Sequence, residues 1–131
     1  MNLIVDTSTI IAVITNEKEK KEIIHATKGY SLLAPSSVHW EIANAFSAML
    51  KRERITYNQA KKSLNFYQKI PIRFCDITLE DSLKLANELN IYAYDAYILC
   101  CATKLHAPII SLDKKLIQLA KFKELPILEV T

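Results

Sequence analysis

Short, uninterrupted apolar runs separated by segments of helical periodicity set the strongest constraint on what this chain can become. The runs are NLIV (2–5), YSLLAP (30–35), PIRFCDI (71–77), APIISLD (107–113) and PILEV (126–130). Each reads as a strand buried on both faces, not as one that alternates between core and water. Between them the spacing predicts a short helix around 10–14 and an amphipathic helix over 17–28 that Gly29 stops. A long helix follows, from a cap at Ser36 or Ser37 to about Arg54, then a continuation over 55–70 with Thr56 as its cap. Further helices are expected over 79–89, over the nearly all-apolar 93–106, and over 114–122. Strands that alternate in this way with helices build a parallel sheet covered on both faces. The expectation is an α/β fold, a three-layer α/β/α sandwich with a central parallel sheet, formed as a single domain over residues 1–131.

Composition narrows the function. At 131 residues and 50% hydrophobic content the chain can bury a core without disulfides or a structural metal. No apolar stretch reaches the roughly 18 residues of a membrane span, so a soluble protein is expected, with no membrane partner. Cys75, Cys100 and Cys101 are an odd set with no signal peptide ahead of Asp6, which suits reduced packing thiols in the cytoplasm. The single glycine, Gly29, excludes phosphate-cradling loops of the P-loop and dinucleotide kinds, which need several. A net charge of +3 neither demands nor excludes nucleic acid, although Arg52, Arg54, Lys61 and Lys62 are candidates to hold phosphates.

In open α/β sheets the binding crevice lies at the carboxyl ends of the strands, which decides which acids matter. Asp6 ends the first strand and is followed by the hydroxyls of Thr7, Ser8 and Thr9; with Ser8 and Thr9 available as caps, its charge is expected to serve a site. Asp113 ends the fourth strand, where capping the next helix is a strong rival. Asp95 opens the apolar helix before that strand. Glu41 falls beyond the third position of its helix, so a capping box does not account for it, and it lies with Asn44 on the flank of the apolar stripe. All four acids face one end of the sheet. Four converging carboxylates repel by up to about 4 kcal/mol per close pair at an effective dielectric of 20, so they require cations. Oxygen donors select Mg²⁺ or Mn²⁺, and His25, His39 and His106 show no ligand spacing that would change this. A site of that kind activates water and clamps phosphate, which points to phosphodiester hydrolysis.

The segments IVDTSTIIAV, SVHWEIANAF, YDAYILCCA and ISLDKKL, in this order and spread over nearly the whole chain, resemble the PIN domain. At this length they resemble the toxin ribonucleases of VapBC-type toxin–antitoxin pairs. The resemblance implies a metal-dependent endoribonuclease with Asp6, Glu41, Asp95 and Asp113 on the family's acidic positions. It places Ser8 on the hydroxyl position that supports the first aspartate or a water on the metal. It also implies a homodimer and an antitoxin protein that blocks the groove. DKKL offers no acid beyond Asp113, so a second metal would be weakly held. In the mechanism expected, Asp6, Glu41 and Asp95 are the principal ligands and Asp113 completes the site, with RNA cut to 5′-phosphate and 3′-hydroxyl ends.

Two enzyme classes of similar fold are disfavoured. A receiver domain wants an acid beside the first aspartate, where Thr7 stands, and a two-aspartate phosphatase wants one at position 8, where Ser8 stands. The alternative of another class is a non-catalytic RNA-binding or interaction module on the same fold.

Overall fold

The computed structural model describes residues 1–130. Four parallel strands, β1 (Asn2–Val5), β2 (Ser31–Pro35), β3 (Ile72–Cys75) and β4 (Ile109–Ile110), form one sheet in the order β3-β2-β1-β4. Leu3 pairs with Leu32 and Ile4 with Leu33 on one side of β1, and Ile4 pairs with Ile109 on the other. Seven helices flank the sheet: α1 (Thr7–Ile14), α2 (Lys20–Thr27), α3 (Ser37–Lys51), α4 (Tyr57–Gln68), α5 (Leu79–Leu89), α6 (Ala93–Leu105) and α7 (Lys114–Phe122). This is the expected three-layer arrangement.

Strand order follows from the connections. The α1–α2 and α3–α4 crossovers carry the chain outward from β1 through β2 to β3, and α1 packs on α2, α3 and α4. The α5–α6 connection then returns to the far side of β1, with α6 lying on β1 and β2. Right-handed crossovers place the outward and returning helices on opposite faces. The direction of winding reverses between β1 and β4, and a crevice opens there at the strands' carboxyl ends. Leu3, Ile4, Ile109 and Ile110 are fully buried beneath it, with Ile42 of α3 and Leu99 of α6 closing the core from either side.

Several expected boundaries move for local reasons. α1 begins at Thr7, because Asp6 itself is the cap: its backbone is extended and its side chain accepts from Thr9 N. Ser8 and Thr9 lie inside the helix and cap nothing. α2 is shorter than 17–28; Asn16 takes a positive φ of 58° and the helix starts only at Lys20, while Gly29, at φ 83°, ends it as expected. Neither serine caps α3: Ser36 occupies the cap position with no side-chain bond, and Ser37 is the first helical residue. Thr56 caps α4 as expected, in a reciprocal box with Gln59. PILEV does not become a strand. Only Ile127 bridges Ile109, using Ile109 N to Pro126 O and Leu128 N to Ile109 O. Pro126 has no N–H to give, and β4 is too short to template more. Of the cysteines, Cys75 and Cys101 are buried in the core and Cys100 is half-buried; all three are free thiols. No helix among the described residues is long and apolar enough to cross a membrane.

Candidate active site

Asp6 sits at the switch point, where β1 gives way to α1, and is 5% exposed. Its carboxylate is surrounded by neutral donors. Ser8 Oγ lies 2.9 and 2.8 Å from the two oxygens, Thr9 N and Thr9 Oγ1 reach Oδ1 at 3.0 and 2.8 Å, and Ser111 Oγ reaches Oδ2 at 2.5 Å. The same hydroxyls stitch the loop after β1 to the loop after β4: Ser8 Oγ accepts from Leu112 N at 3.1 Å, and Ser111 Oγ accepts from Asp113 N at 2.9 Å. Sequence reasoning expected a cation alone as Asp6's partner and missed Ser111. The readable signal was a hydroxyl directly after the strand that pairs with β1 at the reversal.

Hydrogen bonds do not fully compensate for burying this charge. Burial pushes the Asp6 carboxyl above its ordinary 3.8, and the donors from Ser111, Thr9 and Ser8 pull back only part of the shift. Among the described residues the one ion pair joins Lys123 to Glu88 at the surface, so none of the four acids forms an ion pair.

Glu41 comes from the second turn of α3, which springs from β2 beside β1. It is half-buried, and its Oε2 is buried with no hydrogen-bond partner. The hydroxyls of Ser37 and Thr7 are directed at this carboxylate and pull its pKa part of the way back, although none of the three atoms finds a partner at full hydrogen-bond geometry. Burial holds the Glu41 carboxyl above its ordinary 4.5, and the charges of Asp6 and Asp95 push it further. Asp95, in the first turn of α6, is raised by burial and by Asp113 and Asp6, with Lys115 opposing. The charges of Asp6 and Asp95 thus reach Glu41, and those of Asp113 and Asp6 reach Asp95.

Asp113 is exposed and does what its rival reading supposed: it caps α7, Oδ1 accepting from Lys115 N at 2.9 Å and Leu116 N at 3.4 Å. The four acids thus share one end of the sheet. Among the described residues, however, no three Asp, Glu, His or Cys side chains stand close enough to enclose a metal ion by themselves.

His39 is structural, as expected, with Nδ1 3.3 Å from the Tyr67 hydroxyl. Tyr67 is buried. The basic residues are remote. At roughly 1.5 Å per residue, the end of α3 that precedes Arg52 and Arg54 lies about 15 Å from Glu41. Arg54 and Lys62 line a separate hollow there, with Lys20.

A family model of the PIN domain matches residues 3–122. No curated protein matches the chain. Among solved structures it is similar to PAE2754 from Pyrobaculum aerophilum, with a TM-score of 0.71 at 19% identity over 90% of this chain and 78% of that one. It is also similar to VapBC2 from Rickettsia felis, solved bound to a DNA fragment from their promoter (TM-score 0.66, 19% identity, 98% of each chain). A third is a toxin–antitoxin complex from Klebsiella pneumoniae (TM-score 0.56, 18% identity, 87% of this chain and 88% of that one).

Proposed function

This chain belongs to the PIN domain family, and on that footing we propose that it is a divalent-cation-dependent endoribonuclease, the toxin of a VapBC-type pair, acting in the cytoplasm and held inactive by a cognate antitoxin. The observation that carries the reading is the Glu41 carboxylate: half-buried, under the charges of Asp6 and Asp95, and faced only by the hydroxyls of Thr7 and Ser37 with no ion-pair partner. Similarity to structures of toxin–antitoxin complexes supports the pairing with an antitoxin.

The donors fit Mg²⁺ or Mn²⁺. They are carboxylate and hydroxyl oxygens without histidine or thiolate, and their mutual repulsion is what a cation relieves. Mg²⁺ keeps water and substrate phosphate in its shell, so it does not need the acids to enclose it by themselves. Asp6, Glu41 and Asp95 would hold it, directly or through water, and Asp113 would complete the set; a cation there supplies charge for the phosphate and acidity for a water.

The chain's own residues divide the remaining work. Ser8, Thr9 and Ser111 lock Asp6 in one orientation, so this ligand is preorganised. A carboxylate of the set takes the proton that the attacking water gives up. Water oxygen bonds to phosphorus as the bond to the 3′ oxygen breaks, the 3′ oxygen takes a proton, and 5′-phosphate and 3′-hydroxyl ends result.

A digest of structured RNA with end analysis tests the proposal. Cutting that stops in EDTA and leaves 5′-phosphates supports it. Cyclic 2′,3′-phosphate ends, or full activity in EDTA, overturn it. The open spacing of the acids also favours a second reading, a non-catalytic RNA-binding module, which the same digest decides by showing RNA bound and uncut.

A further inference from the structure

The chain's single tryptophan, Trp40, is 71% exposed on α3, immediately before Glu41. Tyr94, 59% exposed, immediately precedes Asp95 on α6. Each of these acids is thus flanked by a large aromatic ring left open to water. The rings are not loose. Trp40 stands edge-on to His39 with centroids 5.1 Å apart, and His39 is anchored to the Tyr67 hydroxyl. Tyr94 meets Tyr97 edge to face at 6.1 Å.

Trp40, Tyr94 and Tyr97 line one hollow of about 670 Å³ together with Glu41 and Asn44. Thr7 and Ser37 line it too. Trp40 and Tyr97 also line a second hollow of about 280 Å³. An exposed aromatic cluster in a soluble fold marks an interaction surface. Here the cluster is continuous with the carboxylate site, and its polar lining offers both donors and acceptors.

We infer that Trp40, Tyr94 and Tyr97 form a stacking platform for an unpaired nucleobase next to the scissile phosphate, with Asn44 placed to meet the base edge. The inference rests on the nuclease reading for its orientation: a phosphate at Glu41 leaves its neighbouring base over the hollow. Two features favour RNA over a protein segment as the occupant. The hollow shares Glu41 with the acid site, and the exposed Asn44 amide in its wall suits a base edge. A flat π-face accepts any base, whereas a base locked in a duplex cannot reach the ring.

Because Trp40 is the only tryptophan, its fluorescence reports on this place alone. The experiment titrates the full chain with a single-stranded decaribonucleotide, a hairpin stem of the same composition and an abasic strand of the same charge. Ca²⁺ replaces Mg²⁺ to hold turnover off. The single strand should quench Trp40 and the stem should not. Trp40→Ala should weaken binding of the single strand by roughly 5- to 150-fold, the range for loss of one stacked base. Trp40→Phe should recover most of that, and binding of the abasic strand should be the same for wild type and variant. The ring's exposure makes folding insensitive to its loss, which circular dichroism checks.

Equal binding of the single strand by wild type and Trp40→Ala overturns the platform, as does quenching by the antitoxin but by no RNA. If RNA cutting persists in Mg²⁺ in that case, the nuclease reading stands without the platform. If instead the single strand quenches Trp40 and no RNA is cut in Mg²⁺ or Mn²⁺, the platform stands and the nuclease reading falls.

Discussion

Ser111 Oγ donates to Asp6 Oδ2 across the gap between β4 and β1, the one place in the sheet where the winding reverses. Through this bond, with the Asp113 amide donating to the same Ser111 oxygen, the loop after β4 is fastened to the acid that ends β1.

Ser111→Ala removes a donor from a buried carboxylate and an acceptor from the Asp113 amide. A loss of about 1–3 kcal/mol is expected, as for other deleted bonds to a charged group. Urea unfolding of variant and wild type checks it. RNA cutting should fall as well, because Asp6 loses part of its orientation. A variant as stable and as active as wild type would show the bond to be incidental.

Asp6→Asn keeps the shape and removes the buried charge. The amide oxygen can still accept from Thr9, and the new amide N–H can donate to Ser111, whose hydroxyl rotates. Without added metal the variant should match wild type within about 1 kcal/mol or exceed it. Its RNA cutting and its stabilisation by Mn²⁺ should both vanish. Thermal melts with and without Mn²⁺ decide this; a variant that melts far lower in both conditions means Asp6 is chiefly structural.

Stability without metal should fall as pH rises. Burial holds Asp6 and Asp95 above 3.8 and Glu41 above 4.5, so the folded state binds more protons than the unfolded chain. The linkage slope is then negative. The contribution of these groups is fully present below their ordinary values and is lost as pH climbs through the raised ones. Urea midpoints in EDTA, read from about pH 4 to pH 8 and compared with Asp6→Asn, should show a wild-type decline that is smaller in the variant. The same decline in both would remove Asp6 from its origin.

Mn²⁺ should oppose that decline, since a cation replaces the protons as the carboxylates' partner. At a hundred times its dissociation constant it adds about 2.7 kcal/mol. No shift in melting temperature at millimolar Mn²⁺ would count against a cation at these acids.

The hairpin of α3 and α4 is the expected homodimer surface, with Tyr57 and Phe66 exposed along α4. Light scattering at micromolar concentration should report a dimer. A particle of about 15 kDa, one chain of 14.9 kDa, with or without antitoxin, would refute it.

Much of this protein was decided locally. Continuous apolar runs such as NLIV can only be buried strands, Thr56 with Gln59 writes its own helix start, and Gly29 can take the positive φ that ends α2, so these are legible from short stretches of sequence. The shared end of Asp6, Glu41, Asp95 and Asp113 also followed from element order, because in parallel sheets the strand ends face one way. What local reasoning could not decide were choices between equally good partners. Asp6, Ser8 and Thr9 were all competent caps for α1, and Asp6 took the position because Ser111, 105 residues away, arrives to steady its other oxygen. Tyr67 is another case: an aromatic of α4 like the exposed Tyr57 and Phe66, it is buried, with its hydroxyl 3.3 Å from His39 Nδ1, 28 residues away. PILEV had the apolarity of a strand, but pairing needs a neighbour with free backbone groups, and β4 supplies only Ile109. Sequence composition sets what each segment can satisfy alone; which long-range donor, ring or strand edge reaches it depends on crossovers that bring distant residues together, and only the tertiary structure determines that.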